Sequence, residues 1–371
     1  MRPRELMRSE LSLIDRPAHG GEGWRWGKVE DFSANLNPLG PPEGLQDVVR
    51  TASDSLDHYP DDTCAEFKEA LASHYSLGTE NFLAGAGSSE IIRLFAEVFI
   101  EKGDTAVIPH PTFMEYSFAC KLMGGKIVPF VLNNGSFYID VDVLLTTIGS
   151  GVKAVYLCTP NNPTGVATRR ADILRLSRAL EEMGVLLFLD ETLLELMPEE
   201  TDLTCVREVR SHPNLLIIRS LTKSFAVPGL RSGYAVAHEE MISCLETGRQ
   251  SWNLGTIEQK ASAWLVRECQ GHVRRAAEIL RAEKEKVYAH LRNNLGMELH
   301  RPDAFFFFIN VGQAGYDGAS FRKQMLRHGV LVRDCRSFGS PFESYVRFCV
   351  KTPEKDEALI RALDLSLKAK G

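Results

Sequence analysis

The stretch IIRSLTKSFAVPGLRSGYAVA, residues 217–237, joins two apolar runs through a polar connection. The first run ends in a cluster of Ser, Thr and Lys, and a Pro-Gly turn and Arg231 precede the second run. Lys223 stands where a buried strand is expected to end, although lysine is rarely buried without a partner. Taken alone, the pattern favours an ordinary surface lysine, so the rest of the chain must decide whether Lys223 has a chemical role.

The composition indicates a globular protein that binds neither nucleic acid nor membrane. The chain has 371 residues, of which 44% are apolar and 25% charged, with a formal net charge of -6. The N-terminal segment lacks the continuous apolar core of a secretory signal. The eight cysteines form no C-x-x-C pair or cluster with histidine, which is typical of reduced thiols without zinc. We therefore expect a cytoplasmic protein with no metal.

Short apolar runs alternate with helical periodicity from about residue 80 onward. The predicted strands are TAVIPH (105–110), GKIVPFVL (125–132), KAVYLCTP (153–160), VLLFLDE (185–191), NLLIIRS (214–220) and SGYAVA (232–237), and helices are predicted over 87–100, 171–184, 257–270 and 272–295. Continuous Val, Ile and Leu runs between helices indicate a mostly parallel sheet buried on both faces. The predicted class is α/β, with a large domain over 46–265 and a smaller α/β domain joining 1–45 to 266–371.

Several predicted strands end in residues suited to chemistry, and an open parallel sheet builds its site at the carboxyl ends of its strands. Asn162 lies in the turn NNPTG, Asp190 ends the strand VLLFLD, and Ser220 and Lys223 follow the next strand. Each residue also has an ordinary explanation, because NNPTG is a good turn sequence and Asp190 could cap the segment that follows.

The segment GAGSSE, residues 85–90, opens a predicted helix with Gly87, Ser88 and Ser89. A glycine turn with free N–H groups at a helix start is a ready anion site, although an ordinary helix cap has the same sequence. Together with the Ser220 hydroxyl and the Arg231 guanidinium, this segment supplies the N–H groups, hydroxyl and cation that a phosphate requires.

The combined set is more specific than its members. A cofactor ring nitrogen that must stay protonated requires a buried carboxylate, which Asp190 supplies. A cofactor aldehyde requires an amine, which Lys223 supplies. The sequence therefore predicts pyridoxal 5'-phosphate bound covalently to Lys223.

The motifs, taken in order, resemble the fold type I family of pyridoxal-phosphate-dependent aminotransferases. They are NNPTG, an aspartate 28 residues beyond its second Asn, and S-x-x-K followed by GLR-x-GY. The resemblance runs from about residue 30 to the end of the chain. It implies a large domain with a mostly parallel sheet, a smaller domain built from both ends of the chain, and a homodimer.

The resemblance also implies roles for individual residues. Lys223 would be the catalytic lysine, Asp190 would pair with the pyridine nitrogen, and Asn162 would bond the ring's 3′ oxygen. Further cofactor contacts are implied for Gly87, Ser88, Ser89, Phe113, Ser220, Thr222, Arg231 and, from the neighbouring subunit, Tyr59. Since an unperturbed lysine has a pKa of about 10.4, burial or a nearby cation must lower the pKa of Lys223 before it can act as a base.

One position departs from the family pattern. The family often carries an aromatic residue three positions after the ring aspartate, whereas this chain reads DETL and places Leu193 there. The hydroxyl donor to the 3′ oxygen is therefore missing unless Thr192 or another residue supplies it.

Two branches of the family fit the chain. HGG (19–21), DFSANLNPLGPP (31–42) and RSLTKSFAVPGLRSGY (219–234) resemble the threonine-phosphate decarboxylases. The histidinol-phosphate aminotransferases are the alternative, and the short segment EGWRWG (22–27) fits the decarboxylases less well. In both branches the substrate is a phosphorylated amine or amino acid.

Candidate substrate residues come from both ends of the chain. His19, Ser33, Asn35 and Asn37 are predicted to line a substrate phosphate site. Arg347, in YVRFCVK, matches the family arginine that grips a carboxylate, and Arg333 and Arg347 together could divide a carboxylate and a phosphate. The ordinary alternatives are a salt bridge for Arg333 and a simple turn for His19.

The two activities differ in which Cα bond breaks, and this depends on the substrate pose. A transaminase sets Cα–H perpendicular to the cofactor ring, whereas a decarboxylase sets Cα–COO⁻ there.

A third class, regulators that bind pyridoxal phosphate without turnover, carries an added DNA-binding domain. The net negative charge and the absence of a basic helix-turn-helix pattern argue against that class.

Overall fold

The computed structural model describes residues 2–132 and 135–367. The strands are β1 (Glu30–Asp31), β2 (Phe82–Gly85), β3 (Thr105–His110), β4 (Lys126–Val131), β5 (Val152–Cys158), β6 (Leu186–Asp190), β7 (Leu215–Ser220), β8 (Gly233–Ala237), β9 (Phe306–Asn310), β10 (Val330–Leu331), β11 (Arg333–Asp334) and β12 (Tyr345–Cys349). Every strand predicted between residues 105 and 237 is confirmed within two or three residues at its ends.

The α-helices are α1 (Leu45–Ala52), α2 (Ala65–Tyr75), α3 (Ser88–Phe99), α4 (Glu115–Leu122), α5 (Val141–Thr146), α6 (Arg170–Glu182), α7 (Glu200–Leu203), α8 (Leu221–Ser224), α9 (Glu239–Gly248), α10 (Thr256–Glu268), α11 (Gln270–Ala289), α12 (Gly318–Arg327) and α13 (Pro353–Leu367). Shorter 3-10 turns lie at Pro3–Glu5, Ser9–Leu13, Gly23–Trp26, Ser53–Ser55, Thr79–Asn81, Leu194–Leu196, Val206–Ser211, Gly312–Ala314 and Arg336–Phe338, and a π turn at His290–Asn294. Within the described ranges, none of these helices is both long and apolar enough to cross a bilayer.

Seven strands form the central sheet in the order β2-β8-β7-β6-β5-β3-β4. All neighbouring pairs from β4 to β7 are parallel, whereas β8 runs antiparallel to both β7 and β2. The reversal follows from chain length, because only residues 221–232 connect β7 to β8 and a parallel crossover needs a longer connection that usually contains a full helix. The predicted α/β class with a mostly parallel sheet is confirmed.

Helices cover both faces of the sheet. On one face α3, α4 and α9 pack against Tyr156 and Phe188, and on the other face α2 and α6 belong to the core that includes Val155 and Leu187. Successive strand residues point to opposite faces, so a strand buried on both sides must be apolar throughout. This burial explains why the strands appear in the sequence as unbroken apolar runs.

Two smaller sheets join the ends of the chain. β11, β12 and β9 form an antiparallel sheet, in which Arg333 pairs with Arg347. β1 pairs in parallel with β10, so that Asp31 lies beside Leu331. The N-terminal segment is therefore built into the C-terminal part of the fold. The domain boundaries at residues 45 and 265 stay a prediction.

A buried acid marks the junction between α11 and α13. Both oxygens of Asp356 accept the backbone N–H of Lys351, at 2.9 and 3.1 Å, and the Asp356 side chain is fully buried. Burial, together with the charge of the nearby Glu283, raises the pKa of Asp356 to about 7, although the hydrogen bond from the Lys351 N–H opposes this shift. The protonated acid is therefore the form that suits the folded state.

Replacing Asp356 should change how stability depends on pH. Since the folded pKa lies above the ordinary value of 3.8, this carboxyl favours folding at low pH, and that contribution is lost as pH rises through about 7. We expect Asp356→Asn to remove a pH-dependent loss on the order of 1–3 kcal/mol between pH 5 and 8. Urea unfolding at several pH values measures it.

The matched control is Glu357→Gln, because Glu357 is an exposed acid on the same helix. The free energy of unfolding of this control variant should depend on pH in the same way as that of the parent protein. Equal slopes for Asp356→Asn and the parent protein would show that the buried acid does not titrate as described.

Candidate active site

The carboxyl ends of β5, β6 and β7 lie side by side and carry five of the predicted site residues, namely Asn162, Asp190, Ser220, Thr222 and Lys223. In the sheet register Cys158 lies opposite Asp190, and Asp190 lies opposite Ile218. β7 ends at Ser220, where the single helical turn α8 presents Lys223. The short return to β8 then brings Arg231 and Gly233 back to the same edge, since Gly233 pairs with Ser220.

Lys223 is held by the N-terminal segment. The backbone N–H of Asn37 donates to the Lys223 carbonyl oxygen (3.0 Å), and the Asn37 side-chain amide donates to the carbonyl of Ser224 (2.8 Å). Burial, together with the charges of Arg347 and Arg231, lowers the pKa of Lys223 to about 8. This lowering agrees with the expectation for a lysine that acts as a base. Asn37, predicted from the sequence to line a substrate phosphate site, bonds the turn of Lys223 through its backbone and its side chain.

Gly87, Ser88 and Arg231 form an anion cradle at the start of α3. Gly87 has a φ of 81°, and a Cβ built on it would lie 2.6 Å from the Arg231 Nη2. A Cβ on Gly233 would lie 2.8 Å from the Ser88 nitrogen, so β8 runs directly against this loop. Ser220 completes the group, because it is the register partner of Gly233 and its hydroxyl donates to the Ser232 carbonyl (3.4 Å).

Asp190 is buried and fixed by two donors. The Tyr116 hydroxyl donates to Oδ2 (2.6 Å), and the backbone N–H of Thr192 donates to Oδ1 (2.8 Å). Burial raises the pKa of Asp190, while these donors and the Lys223 charge lower it in part. A buried carboxylate oriented in this way can hold a protonated ring nitrogen.

Phe113 lies beside this carboxylate. Its ring packs edge-on to Tyr116, with centroids 5.6 Å apart, and tilts toward the His19 ring at 5.8 Å. His19 Nε2 lies 2.7 Å from Glu115 Oε1. The structure thus brings the predicted residues Phe113 and His19 together, and it pairs His19 with a carboxylate that the sequence did not single out.

Arg347 and Arg333 project from paired positions on β12 and β11. The buried Arg347 donates to Asn162 Oδ1 (2.5 Å) and to the carbonyl oxygen of Ser33. Arg333 donates to the Ala18 carbonyl (2.6 Å) and the Ser337 hydroxyl (2.9 Å). Within the described ranges neither guanidinium pairs with a carboxylate, so both charges are available to an anion.

Three predicted residues carry buried polar atoms that lack a hydrogen-bond partner within the described ranges. They are Thr222 Oγ1, Asn35 Oδ1 and Arg347 Nε. Ser33 differs, because its hydroxyl donates to Asp31 (2.6 Å) and accepts from the Gly21 N–H (3.1 Å). Buried polar groups are nearly always paired, so the three unpaired atoms are suited to a bound ligand.

Two predicted residues lie apart from this group. Ser89 is exposed and lines a separate cleft of about 420 Å³ with Arg16 and Gly248. The Tyr59 ring is 74% exposed and stacks on Trp252. Neither side chain contributes to the cradle described above, and the implied contact of Tyr59 with a neighbouring subunit stays a prediction.

Sequence reasoning missed two supports of the site. Tyr116 follows Phe113 by three residues, and this helical spacing could have indicated that both face the same ligand. The second support is the fully buried pair of Arg219 and Glu191, whose Nη2 and Oε2 are 2.7 Å apart. Each of these two residues stands directly beside a predicted site residue, but no sequence pattern indicated that they meet.

The model of the aminotransferase class I and II family matches residues 27–363. The chain belongs to this family. A class I and II aminotransferase fold explains why an amine, a carboxylate and an anion cradle meet at one edge of the sheet, and it makes the chain a pyridoxal-phosphate-dependent enzyme.

Relatives carry names from both predicted branches. A histidinol-phosphate aminotransferase of Symbiobacterium thermophilum is 34% identical over 99% of this chain and 94% of its own length. A Caldanaerobacter subterraneus protein named "Putative threonine-phosphate decarboxylase" is 30% identical over 89% of this chain and 88% of its own. The histidinol-phosphate aminotransferase structure of Sinorhizobium meliloti, in complex with pyridoxal-5'-phosphate, superposes with a TM-score of 0.85 at 19% identity over 98% of both chains.

The residues present fit this cofactor. Glycine at 87 lets Arg231 approach the start of α3, and glycine at 233 lets β8 approach the Ser88 nitrogen, so a guanidinium and helix-start N–H groups suited to a phosphate lie close together. The unpaired Thr222 hydroxyl lies beside Lys223 in sequence. Leu193, three residues after Asp190, is buried. The backbone N–H of Thr192 donates to Asp190, and the buried Thr192 hydroxyl has no partner among the described residues. That Thr192 supplies the donor to the 3′ oxygen stays a prediction.

Lys223 should destabilise the cofactor-free protein at neutral pH. Its folded pKa of about 8 lies below the ordinary value of 10.5, so the unfolded chain binds the proton more tightly and stability rises between pH 8 and 10.5. We expect Lys223→Met to raise the free energy of unfolding at pH 7 by on the order of 1–3 kcal/mol. The gain should shrink toward pH 10, as measured by urea unfolding.

The exposed Lys323 supplies the control, since Lys323→Met removes a lysine that has no buried environment. This variant should leave both stability and its pH dependence nearly unchanged. A loss of stability in Lys223→Met at every pH would contradict the destabilisation expected from a lysine whose pKa is lowered in the folded protein.

Proposed function

We propose that the chain decarboxylates L-threonine O-3-phosphate to (R)-1-aminopropan-2-ol phosphate and CO₂. The observation that carries this proposal is the direct pairing of Arg333 with Arg347 on neighbouring antiparallel strands. Residues opposite one another on such strands project to the same side, with Cβ atoms about 4.5–5.5 Å apart. Two guanidinium groups this close suit two anionic groups on a short substrate.

Threonine phosphate has those two groups on adjacent carbons, the carboxylate on Cα and the phosphate on Cβ. Arg347 is the better candidate for the carboxylate, because Asn162 and Ser33 fix its guanidinium inside the fold. Arg333 lies in a cleft of about 560 Å³ lined also by His19, Ser33 and Arg322, which suits the phosphate. Asn35 Oδ1 is a buried acceptor without a partner among the described residues, so it suits a hydrogen-bond donor of the bound ligand rather than its anionic groups.

The proposed cofactor contacts follow the cradle and the sheet edge. Gly87, Ser88, Ser220 and Arg231 would hold the phosphate, with Ser89 contributing through its backbone at the helix start. Asp190 would hold the proton on the pyridine nitrogen, Phe113 would cover the ring, and Asn162 and Thr222 would contact its polar edge. When bound, the cofactor supplies the electron sink for the bond that breaks at Cα.

The chain's own residues would then direct the reaction. Arg347 holds the carboxylate so that the bond between Cα and the carboxylate carbon breaks and CO₂ departs. The Lys223 ammonium, with a pKa of about 8, can afterwards give its proton to Cα and recover it from solvent. Asp190 is buried and Lys223 is half-buried, which limits the access of water to that proton.

We further propose a homodimer in which Tyr59 reaches the phosphate of the neighbouring subunit. The high exposure of this ring in the isolated chain supports the proposal, because large exposed aromatic side chains often mark interfaces.

Histidinol-phosphate amino transfer is the second candidate. It is favoured by the 34% identity to the Symbiobacterium relative that carries that name. Transfer would require a second substrate with two carboxylates, such as glutamate, which the two arginines could also hold. The two activities differ only in the pose of the bound substrate, so an assay of turnover is needed to distinguish them.

An assay with L-threonine O-3-phosphate and no keto acid tests the proposal. We expect sustained CO₂ release with equimolar aminopropanol phosphate from the cofactor-loaded enzyme, since the two arginines would hold the carboxylate for cleavage. Lys223→Ala serves as the inactive control. Absence of CO₂ together with amino transfer from histidinol phosphate to 2-oxoglutarate would establish the second candidate instead.

Arg333→Gln tests the assignment of the substrate phosphate. Removing one charged hydrogen-bonding partner should raise the KM for threonine phosphate by about 10- to 100-fold, with a smaller effect on kcat. Arg322→Gln is the matched control, because Arg322 lines the same cleft but rests on the Trp26 ring. An unchanged KM for Arg333→Gln would remove Arg333 from the site.

A further inference from the structure

Tyr59 and Trp252 form an exposed stack on the surface of the chain. Their ring centroids are 4.6 Å apart with an interplanar angle of 25°, and 74% of Tyr59 and 50% of Trp252 are exposed. The two residues come from distant parts of the sequence, one before α2 and one after α9. A stack of this kind fixes the orientation of an exposed ring that would otherwise rotate freely.

The backbone at Trp252 is held in an unfavourable conformation. Its φ is 53°, in the left-handed region that a bulky side chain rarely adopts. Asp62 Oδ1 accepts the Trp252 N–H (2.5 Å) and also the Arg249 Nη1 (3.3 Å). Strain of this kind persists only where surrounding contacts impose it, and it is concentrated at functional sites.

The same contacts continue to the anion cradle. Arg249 Nη1 donates to Asn253 Oδ1 (3.0 Å), and Asn253 Nδ2 donates to Glu90 Oε2 (3.0 Å) and to the Ala84 carbonyl (3.0 Å). Glu90 Oε2 in turn accepts the Ala86 N–H (2.5 Å), inside the glycine turn that starts α3. A continuous set of hydrogen bonds therefore joins the exposed stack to the cradle of its own subunit.

The cradle has an open side in the isolated chain. Arg231 is exposed there, and among the described residues it forms no ion pair or hydrogen bond. Tyr59 stacks on Trp252 and is 74% exposed, so its ring is accessible to a second copy of the chain. A second copy of the chain would supply a hydroxyl to the open side of each cradle.

We infer that Trp252 is a positioning residue that holds Tyr59 for the cofactor phosphate bound by a second copy of the chain. This inference rests on the proposed homodimer. It adds that the Tyr59 ring must be preorganised by Trp252, because an ordered ring loses less conformational entropy on contacting the phosphate. Trp252 itself does not touch the cofactor.

Cofactor binding by Trp252→Leu tests this role, because leucine keeps an apolar side chain but removes the stack. We expect the dissociation constant for pyridoxal phosphate to rise about 3- to 10-fold. The dissociation constant for pyridoxal, which lacks the phosphate, should not change. Trp252→Phe should restore most of the affinity, and Trp24→Ala controls for loss of an exposed tryptophan elsewhere.

Mixed dimers show whether the stack of Tyr59 and Trp252 strengthens cofactor binding in its own subunit or in the neighbouring subunit. One chain carries Lys223→Ala, so that only the other chain can bind the cofactor covalently. We expect weak binding when Trp252→Leu lies on the Lys223→Ala chain, and normal binding when it lies on the chain with the intact lysine. The visible absorbance of the lysine-linked cofactor reports the affinity.

Three results would overturn the inference. They are equal losses of affinity for pyridoxal and pyridoxal phosphate, a defect that follows the intact-lysine chain, and a chain that binds the cofactor normally as a monomer. These readouts measure cofactor binding rather than turnover. Failure of the decarboxylase assay would therefore leave the outcome for Trp252 unaffected.

Discussion

A buried ion pair on the opposite face of the sheet fixes the strand ends that carry Asp190 and Ser220. Arg219 donates through Nε and Nη2 to Glu191 Oε2, at 3.1 and 2.7 Å, and both side chains are fully buried. Successive strand residues face opposite ways, so this pair directs Asp190 and Ser220 toward the site. Removing one partner of such a pair leaves an uncompensated buried charge, which costs roughly 3–5 kcal/mol.

The second constraint is an excess of positive charge. Arg347 and Arg231 both lower the pKa of Lys223, and Asp190 alone among the nearby acids opposes them strongly enough to be evident. A pocket with this balance favours ligands that carry two or more negative charges. Bound anions would offset the positive charges of the arginines, so the proton affinity of Lys223 depends on which ligand occupies the site.

The local features of the site could be predicted from the sequence because each is encoded over a few residues. Lys223, Asp190 and the glycine turn before α3 follow from strand ends and turn chemistry, and the family resemblance gave them roles. Contacts between distant segments could not be predicted in this way. Tyr116 reaches Asp190 across 74 positions, and Asn253 reaches Glu90 across 163, with no shared pattern between them.

The positions at which the structure differs from the sequence-based prediction have similar causes. Ser88 and Ser89 are adjacent in sequence, yet the Ser88 backbone nitrogen lies against β8 at Gly233, whereas Ser89 is exposed. The pairing of Arg333 with Arg347 needed the register of β11 and β12, which depends on the whole C-terminal sheet. Burial and register are properties of the assembled fold, so they become known only with the structure.

The pairing of β1 with β10 has a consequence for how the protein is made. Residues 30–31 leave the ribosome early, but residues 330–331, their strand partners, are synthesised some 300 positions later. Asn37, which bonds the turn of Lys223, belongs to the same early segment. The segment that holds the turn of Lys223 must therefore wait until almost the whole chain has been made before it can take its place. A prematurely terminated chain would contain Lys223 and Asp190 but lack the strand that anchors the N-terminal segment beside them.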